Sequence, residues 1–287
     1  MTTLLNRALL VNLNISQWQA RKLDKGETAA VNYKHDAATG AARVNKTLLP
    51  GAVALVRIHK LSANIRDDFY SKTLPWGVNG QQIIKATGYL DFTAHFARRI
   101  AEWEDCVKEF FDHYPTLVED ARARAVGLGT LYDPNDYPDL DQIKHKFRIG
   151  FSFSPVPDVQ DWRVGLGDDI EAELRRQIEA EVMDNGAVAM KKAWERVHEV
   201  VTKTHERLSN PDHTFKRSLI ENAKELCETL SYLNITDDPA LEAIRQRIEG
   251  TLCATTFEAL RDDMTTRLSV SDAMADVMSK MGGMYGN

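Results

Sequence analysis

The run Ile170-Glu171-Ala172-Glu173-Leu174-Arg175-Arg176-Gln177-Ile178-Glu179-Ala180-Glu181-Val182 decides the fold class. Ile170, Leu174, Ile178 and Val182 recur every four residues, so on a helix they share one face. Met190, Trp194, Val197, Val201 and Leu208 extend that stripe. An unbroken helix of about 40 residues would be about 60 Å long, longer than a compact domain usually needs. Asn185-Gly186 is therefore the expected place for a break.

Toward the carboxyl terminus, Ser209-Asn210-Pro211-Asp212 reads as a tight turn. A second helix then carries Phe215, Leu219, Ala223, Leu226, Leu230 and Leu233. Thr236-Asp237-Asp238-Pro239 is a cap-and-proline start for a third, bearing Leu241, Ile244, Ile248, Leu252, Leu260, Met264 and Leu268. Short connections make neighbouring helices antiparallel, so residues 168–287 are expected to form an antiparallel helical hairpin or coiled-coil arm. Ser271-Asp272 opens a last short helix with Met274, Met278 and Met281, followed past Gly282-Gly283 by Met284 and Tyr285. Methionines make soft, adaptable surfaces. These five residues are the partner-binding candidates, against the plainer reading that they pack on the protein's own helices.

Toward the amino terminus, Phe147, Ile149, Phe151 and Phe153 alternate with Arg148, Gly150 and Ser152, the period-2 pattern of a strand. Trp162, Val164 and Leu166 suggest a hairpin partner, and Leu9, Val11, Leu13 and Ile15 a third strand of one small sheet. Ser16 with Gln19 offers a capping box for a helix carrying Trp18, Arg21 and Lys22. Gly26–Gly40 is polar and small, a frayed helix or a loop. Pro50 opens a helix bearing Leu55, Ile58, Leu61, Ile65 and Phe69, which Thr73–Gly80 ends. A further helical stretch runs from Tyr89 to Val126, with Pro115 expected to split or sharply kink it. The fold class is mainly α with a small β-sheet (α+β), organised as a body over 1–167 and the helical arm over 168–287.

The chain has 287 residues, 43% of them hydrophobic, with 36 Lys+Arg, 42 Asp+Glu and a net charge of −6. That composition excludes collagen-like, disordered and disulfide-framework classes. No apolar run is long enough to span a membrane, and the first residues lack the pattern of a secretory leader. Cys106, Cys227 and Cys253 are far apart in sequence, fit a reducing compartment and read as small core residues. Charge is uneven: residues 1–100 hold 14 Lys/Arg against 6 Asp/Glu, and residues 101–287 hold 22 against 36. A basic third of this kind either docks on acidic parts of its own fold or a sister subunit, or attracts a polyanion. For a nucleic acid the candidates are Arg21, Lys22, Lys25, Lys34, Arg43 and Lys46 on phosphates, with Trp18 and Tyr33 stacking on bases.

Motifs for chemistry are incomplete. Gly127-Leu128-Gly129 and Gly165-Leu166-Gly167 lack the third glycine or the Gly-Lys-Ser/Thr of phosphate loops and read as turn glycines. Asp133–Asp141 invites a calcium reading, but Tyr137 and Pro138 stand where an EF-type loop needs a ligand and a glycine; a solvated, proline-rich loop is expected. His198 and His205 share a helical face with Glu195, Glu199 and Glu206 nearby, yet zinc needs three or four converging ligands. No metal, cofactor or catalytic residue is assigned, and the chain is read as non-enzymatic.

The segment Leu9-Leu10-Val11-Asn12-Leu13-Asn14-Ile15-Ser16-Gln17-Trp18, with Ala20-Arg21-Lys22 and Asp24-Lys25, resembles the start of an uncharacterised phage and bacterial family, domain-of-unknown-function family 3150. Thr73-Leu74-Pro75-Trp76, Tyr114-Pro115, Asp136-Tyr137-Pro138 and Phe151-Ser152-Phe153-Ser154-Pro155-Val156-Pro157 add to the resemblance, which spans residues 9–157. It implies a protein of tailed-phage genomes, often encoded near a MoxR-like AAA+ ATPase and a von Willebrand A-type protein, and carries no catalytic residues to these positions. The leading expectation is a non-enzymatic phage protein of the host cytoplasm that self-assembles as a homo-oligomer or acts as adaptor or client of an AAA+ ATPase. The alternative is a single-stranded nucleic-acid binding or annealing protein, and the third reading a structural component of the virion.

Overall fold

The computed structural model describes residues 2–78, 80–123, 127–158 and 168–282. In chain order its helices are α1 (Thr2–Leu5), α2 (Lys25–Lys34), α3 (Val53–Ser71), α4 (Tyr89–Arg122), α5 (Leu140–Lys144), α6 (Asp168–Ser209), α7 (Ser218–Leu233), α8 (Pro239–Ile248), α9 (Phe257–Asp262) and α10 (Met264–Gly282). The strands are β1 (Ala8–Ser16), β2 (Arg21–Leu23), β3 (Asn45–Thr47), β4 (Leu74–Pro75), β5 (Gln82–Lys85) and β6 (Arg148–Pro155). The protein is mainly α with a small β-sheet, as the periodicity predicts. Four strands lie in the order β4-β5-β1-β6, and β2 and β3 form a separate ribbon. The sheet place expected for a hairpin over 162–166 lies outside the described residues. β5 was hidden in the sequence because four residues are too few to show a period.

Two compact units emerge: residues 1–12, 69–93 and 152–287 form one, and residues 13–68 and 94–151 the other. Neither coincides with the expected 1–167 segment, because the chain changes unit inside β1, α3, α4 and β6.

In the first unit, Ala8, Leu10, Leu74 and Ile83 of the sheet, with Trp76 just past β4, share one apolar cluster with α6, α7, α8 and α10. The carboxyl-terminal helices therefore share a packed core with the sheet. β1 pairs antiparallel with β5, Leu9 opposite Ile84 and Leu10 opposite Ile83. The expected break at Asn185-Gly186 does not occur: α6 is one helix of 42 residues. A Cβ on Gly186 would lie 3.6 Å from Leu4 Cδ2, so α1 packs against the helix at that point. Burial there overrides the roughly 1 kcal/mol that a mid-helix glycine costs.

The third carboxyl-terminal helix, expected over 239–268, is instead three pieces. α8 starts as read, with Asp238 capping Ala240 N and Pro239 in the first turn. A π-helical turn over Glu249–Cys253 follows. Thr256 then caps α9 through Ala259 N, and Asp263 accepts from Thr265 N and the Thr266 hydroxyl at the start of α10. Runs of Thr and Asp compete for backbone groups in this way and restart helices instead of continuing them.

α10 lies along α6, its most extensive packing partner. The arrangement is closed by Arg267, only 5% exposed. Its Nε donates to Leu208 O at 3.0 Å, Nη1 to Pro211 O at 3.3 Å, and Nη2 to Arg207 O, Asn210 O and His213 O at 3.0, 2.5 and 2.9 Å. The guanidinium also sits 5.1 Å from the Phe215 ring centre. A helix end and its turn leave such carbonyls without intrahelical donors, although Asn210 O also accepts from His213 N at 3.1 Å. Arg196 does the same for the end of α3, donating to Tyr70 O, Ser71 O and Thr73 O at 2.7–2.8 Å.

In the second unit α4 buries Phe96, Trp103, Val107, Phe110 and Tyr114, and α3 buries Leu55, Ile58, Leu61 and Ile65. Pro115 does not divide α4, which continues through it to Arg122. Tyr114 beside it is buried and its hydroxyl donates to Pro138 O at 2.8 Å, so tertiary contacts hold the helix across the missing N–H.

Replacing Arg267 by Met keeps the apolar stem and removes every donor. We expect Arg267→Met to cost at least about 3 kcal/mol, read from the urea midpoint. Arg267→Lys should recover a minority of it, since an ammonium has fewer donors and no planar fork. A variant within about 0.5 kcal/mol of the parent would show that the carbonyl cage carries no stability.

Candidate functional site

The residues proposed from sequence for nucleic acid fall in the second unit, on and around the β2–α2–β3 segment. The expected helix over 16–22 is absent. β1 runs to Ser16, whose hydroxyl donates to Lys146 O at 3.1 Å, and Ala20 adopts a φ of +47° with its carbonyl accepting from Leu48 N at 2.7 Å. That left-handed residue turns the chain, and Arg21–Leu23 leaves it as a strand. β2 and β3 pair antiparallel with Lys22 directly opposite Lys46.

Two like charges facing across a ribbon repel. Asp136 resolves this: its carboxylate lies 2.6 Å from Lys22 Nζ and 2.6 Å from Lys46 Nζ. Lys46, 9% exposed, also lies 3.4 Å from Asp24 and donates to Leu131 O at 3.1 Å. The expected solvated, proline-rich loop is exposed at Pro134, Asn135, Asp139 and Asp141, but Asp136 within it is buried, 6% exposed. The loop is clasped by Tyr137, whose hydroxyl donates to Leu48 O at 2.7 Å and whose ring stacks on Tyr132. Burial pushes the Tyr137 phenol up to about 12. Burial alone would raise the Asp136 carboxyl too; the bonds from Lys22 and Lys46 outweigh it and hold the group below the ordinary carboxylate range. The bond to Asp136 correspondingly raises Lys46.

α2, expected as a frayed helix or loop, is a ten-residue helix seated almost entirely by polar contacts. Asp24 caps it through Glu27 N at 3.0 Å. Thr28 Oγ1 accepts from Val44 N at 3.0 Å. Asn32 accepts from Ala42 N at 3.0 Å and donates to Ala42 O at 3.3 Å. With the Asp24–Lys46 contact, positions 24, 28 and 32 face positions 46, 44 and 42. Four residues of helix advance about 6.0 Å and two of extended chain about 6.6 Å, so the two ladders stay in step. The signal, Asp-x-x-x-Thr-x-x-x-Asn before an extended run, carries no apolar period, and apolar periodicity misses it.

Arg21, Lys25, Lys34 and Arg43 are exposed and, among the described residues, form no ion pair, while Tyr33 is 88% exposed. The structure thus divides the sequence candidates. Lys22 and Lys46 are spent on Asp136. Trp18 is half-buried, edge-on to Tyr114 at 6.0 Å, and its carbonyl meets His59 Nε2 at 3.0 Å. Other cations of the basic third are also met by acids of the same unit: Arg57 by Glu109, Lys72 by Glu225, and Arg7 and Lys85 by Asp237.

The partner-binding candidates fare differently. Met274 and Met281 are fully buried in the first unit's core, because the turns of α10 that carry them face α6; they offer no surface to a partner. Met278 is half-buried at a cavity of about 850 Å³ that also touches Glu195, His198, Glu206 and His213. Met284 and Tyr285 lie outside the described residues. Among the described residues no group of three or more His, Cys, Asp or Glu is placed to hold a metal, and no helix is long and apolar enough to cross a membrane. Ser271 meets His205 Nδ1 at 3.1 Å but is 1% exposed and ties α10 to α6.

No family model matches the chain, and no curated protein and no solved structure matches it. The family resemblance therefore rests on the residues quoted for it alone.

Because the folded pKa of Asp136 lies below its unfolded value near 3.8, its ion pairs contribute in full above about pH 4 and are lost as pH falls through the folded value. Asp136→Asn should lower stability at about pH 7 and flatten the loss between about pH 5 and pH 2, followed by urea midpoints across that range. Parallel curves for parent and variant would remove the pairs as a source of stability.

Proposed function

We propose that the protein is a non-enzymatic binding protein that contacts single-stranded nucleic acid through the β2–α2–β3 segment. One observation carries this reading: four exposed cations that form no ion pair among the described residues, Arg21, Lys25, Lys34 and Arg43, accompany a tyrosine left 88% exposed on a helix seated from its other side. Unpaired cations release counterions on meeting phosphates, and an exposed ring stacks on any base. Lys22 and Lys46 support the segment and are not counted as contacts.

Fluorescence anisotropy with a labelled single-stranded oligonucleotide tests it. Four phosphate contacts predict a log–log salt slope of about −3. Replacing the four cations by Gln should abolish that slope, and Tyr33→Ala should weaken binding about 5- to 150-fold, both with unchanged circular dichroism. Undetectable binding at low salt, or binding indifferent to the four-cation variant, rejects the reading.

A second reading is the self-assembling phage protein or AAA+ adaptor. It is favoured by large apolar residues that α6 leaves outside the core: Ile170, Met183 and Val188 are 60%, 63% and 57% exposed. Light scattering on the full chain should then report an oligomer that Ile170→Glu with Val188→Glu dissociates. A monomer at all concentrations that also fails to bind an AAA+ ATPase rejects it.

A further inference from the structure

Cys227 and Cys253 stand 26 residues apart and look unrelated in sequence, yet their sulfurs lie 3.9 Å from one another. Cys227 is buried on α7, with its sulfur 3.7 Å from Arg245 O of α8. Cys253 closes the π-helical turn Glu249–Cys253 and is half-exposed. A π-turn inserts a residue into the helical ladder and weakens it locally, and here it sets the second sulfur over α7. We propose that this pair is a reversible dithiol site that closes to a disulfide on meeting a peroxide, with Cys253 attacking and Cys227 resolving.

The assignment of roles follows from access. The thiolate of Cys253, the less buried of the two, attacks one peroxide oxygen; the O–O bond breaks, the departing hydroxide takes up a proton as water, and Cys253 becomes a sulfenic acid. Cys227 then gives up its proton and attacks the Cys253 sulfur. The S–O bond breaks, a second water leaves with that proton, and the S–S bond forms. Two thiols lose two electrons and one peroxide gains them. The sulfurs, 3.9 Å apart, must approach by about 1.9 Å to bond. The contact with Cys227 holds the Cys253 thiol below its usual value, with Lys224 adding to it, while that same contact and burial push Cys227 up. These directions match an attacking and a resolving thiol. Cys106, buried and far from a second cysteine in the chain order, is the internal control.

The full-length chain is treated with graded hydrogen peroxide, unfolded in urea with iodoacetamide to block every remaining thiol, and digested with trypsin. The expected product joins the peptides Glu225–Arg245 and Ile248–Arg261, is lighter than their sum by two hydrogen atoms, and disappears on reduction with dithiothreitol while Cys106 stays alkylatable. The oxidised chain should melt several degrees higher, since the link closes a loop between α7 and the π-turn. In Cys227→Ser a dimedone adduct should appear on Cys253, whereas in Cys253→Ser position 227 should stay alkylatable. Sulfenic or sulfinic acid accumulating on Cys253 of the parent without the cross-link overturns the proposal. So does a parent whose two thiols remain alkylatable at peroxide levels that modify Cys253 in Cys227→Ser.

Discussion

A helix ends with carbonyls that have no donor, and the way this chain satisfies them at the end of α6 determines how its carboxyl-terminal part packs. Arg267 supplies one planar fork to five carbonyls of the α6 end and the following turn. A guanidinium suits the task because its donors diverge in a plane and its charge sits at the negative end of the helix dipole, so no carboxylate is needed to bury it. To deliver that side chain, α10 has to return along α6, and the return turns Met274, Val277 and Met281 into the core. Arg196 repeats the device at the end of α3, with burial drawing its pKa down but three carbonyls holding the charge in place.

Most of the regular structure was legible wherever burial imposes a period. The α3 stripe Leu55, Ile58, Leu61, Ile65 and Phe69 is buried at each position, and β1 and β6 form where alternation is strict. The breakers misled where packing pays for them. Pro115 and Asn185-Gly186 both sit inside continuous helices, because each is flanked by residues that tertiary contacts fix: Tyr114 through Pro138, and Gly186 through Leu4. The opposite error occurred over 249–263, where a good apolar period ran through a stretch whose Thr and Asp side chains prefer to cap. Periodicity reports which residues are buried and says little about whether the backbone between them stays one helix.

The candidate site was legible as a charge excess and illegible as an arrangement. Sequence sums could not separate Lys46, buried against Asp136, from Lys34, exposed on α2, because the partner stands 90 residues away in the chain. Part of the basic excess is indeed consumed by acids of the same unit, which was the plainer of the two readings of the composition. The remainder is smaller than the sum implied, and four of its cations fall on the β2–α2–β3 segment. The cysteines show the same limit: no spacing rule links Cys227 to Cys253, and the juxtaposition appears only once the π-turn has shifted the helical register.

The two classes of cation in the second unit also separate what holds the segment from what the segment can offer. Lys22 and Lys46 meet their carboxylate at short range, and the Lys46–Asp136 pair is largely out of water, so salt screens that pair weakly. Arg21, Lys25, Lys34 and Arg43 project into solvent, where screening is nearly complete beyond about 10 Å at moderate ionic strength. The seat of α2 is made of hydrogen bonds at Asp24, Thr28 and Asn32, which depend little on salt. Ionic strength can therefore turn the outward attraction of this segment up or down without loosening the helix that presents it. Ala29 and Ala30 are exposed beside Tyr33 on α2. Seating the helix through polar side chains keeps that side clear, and the exposed ring stands there by construction.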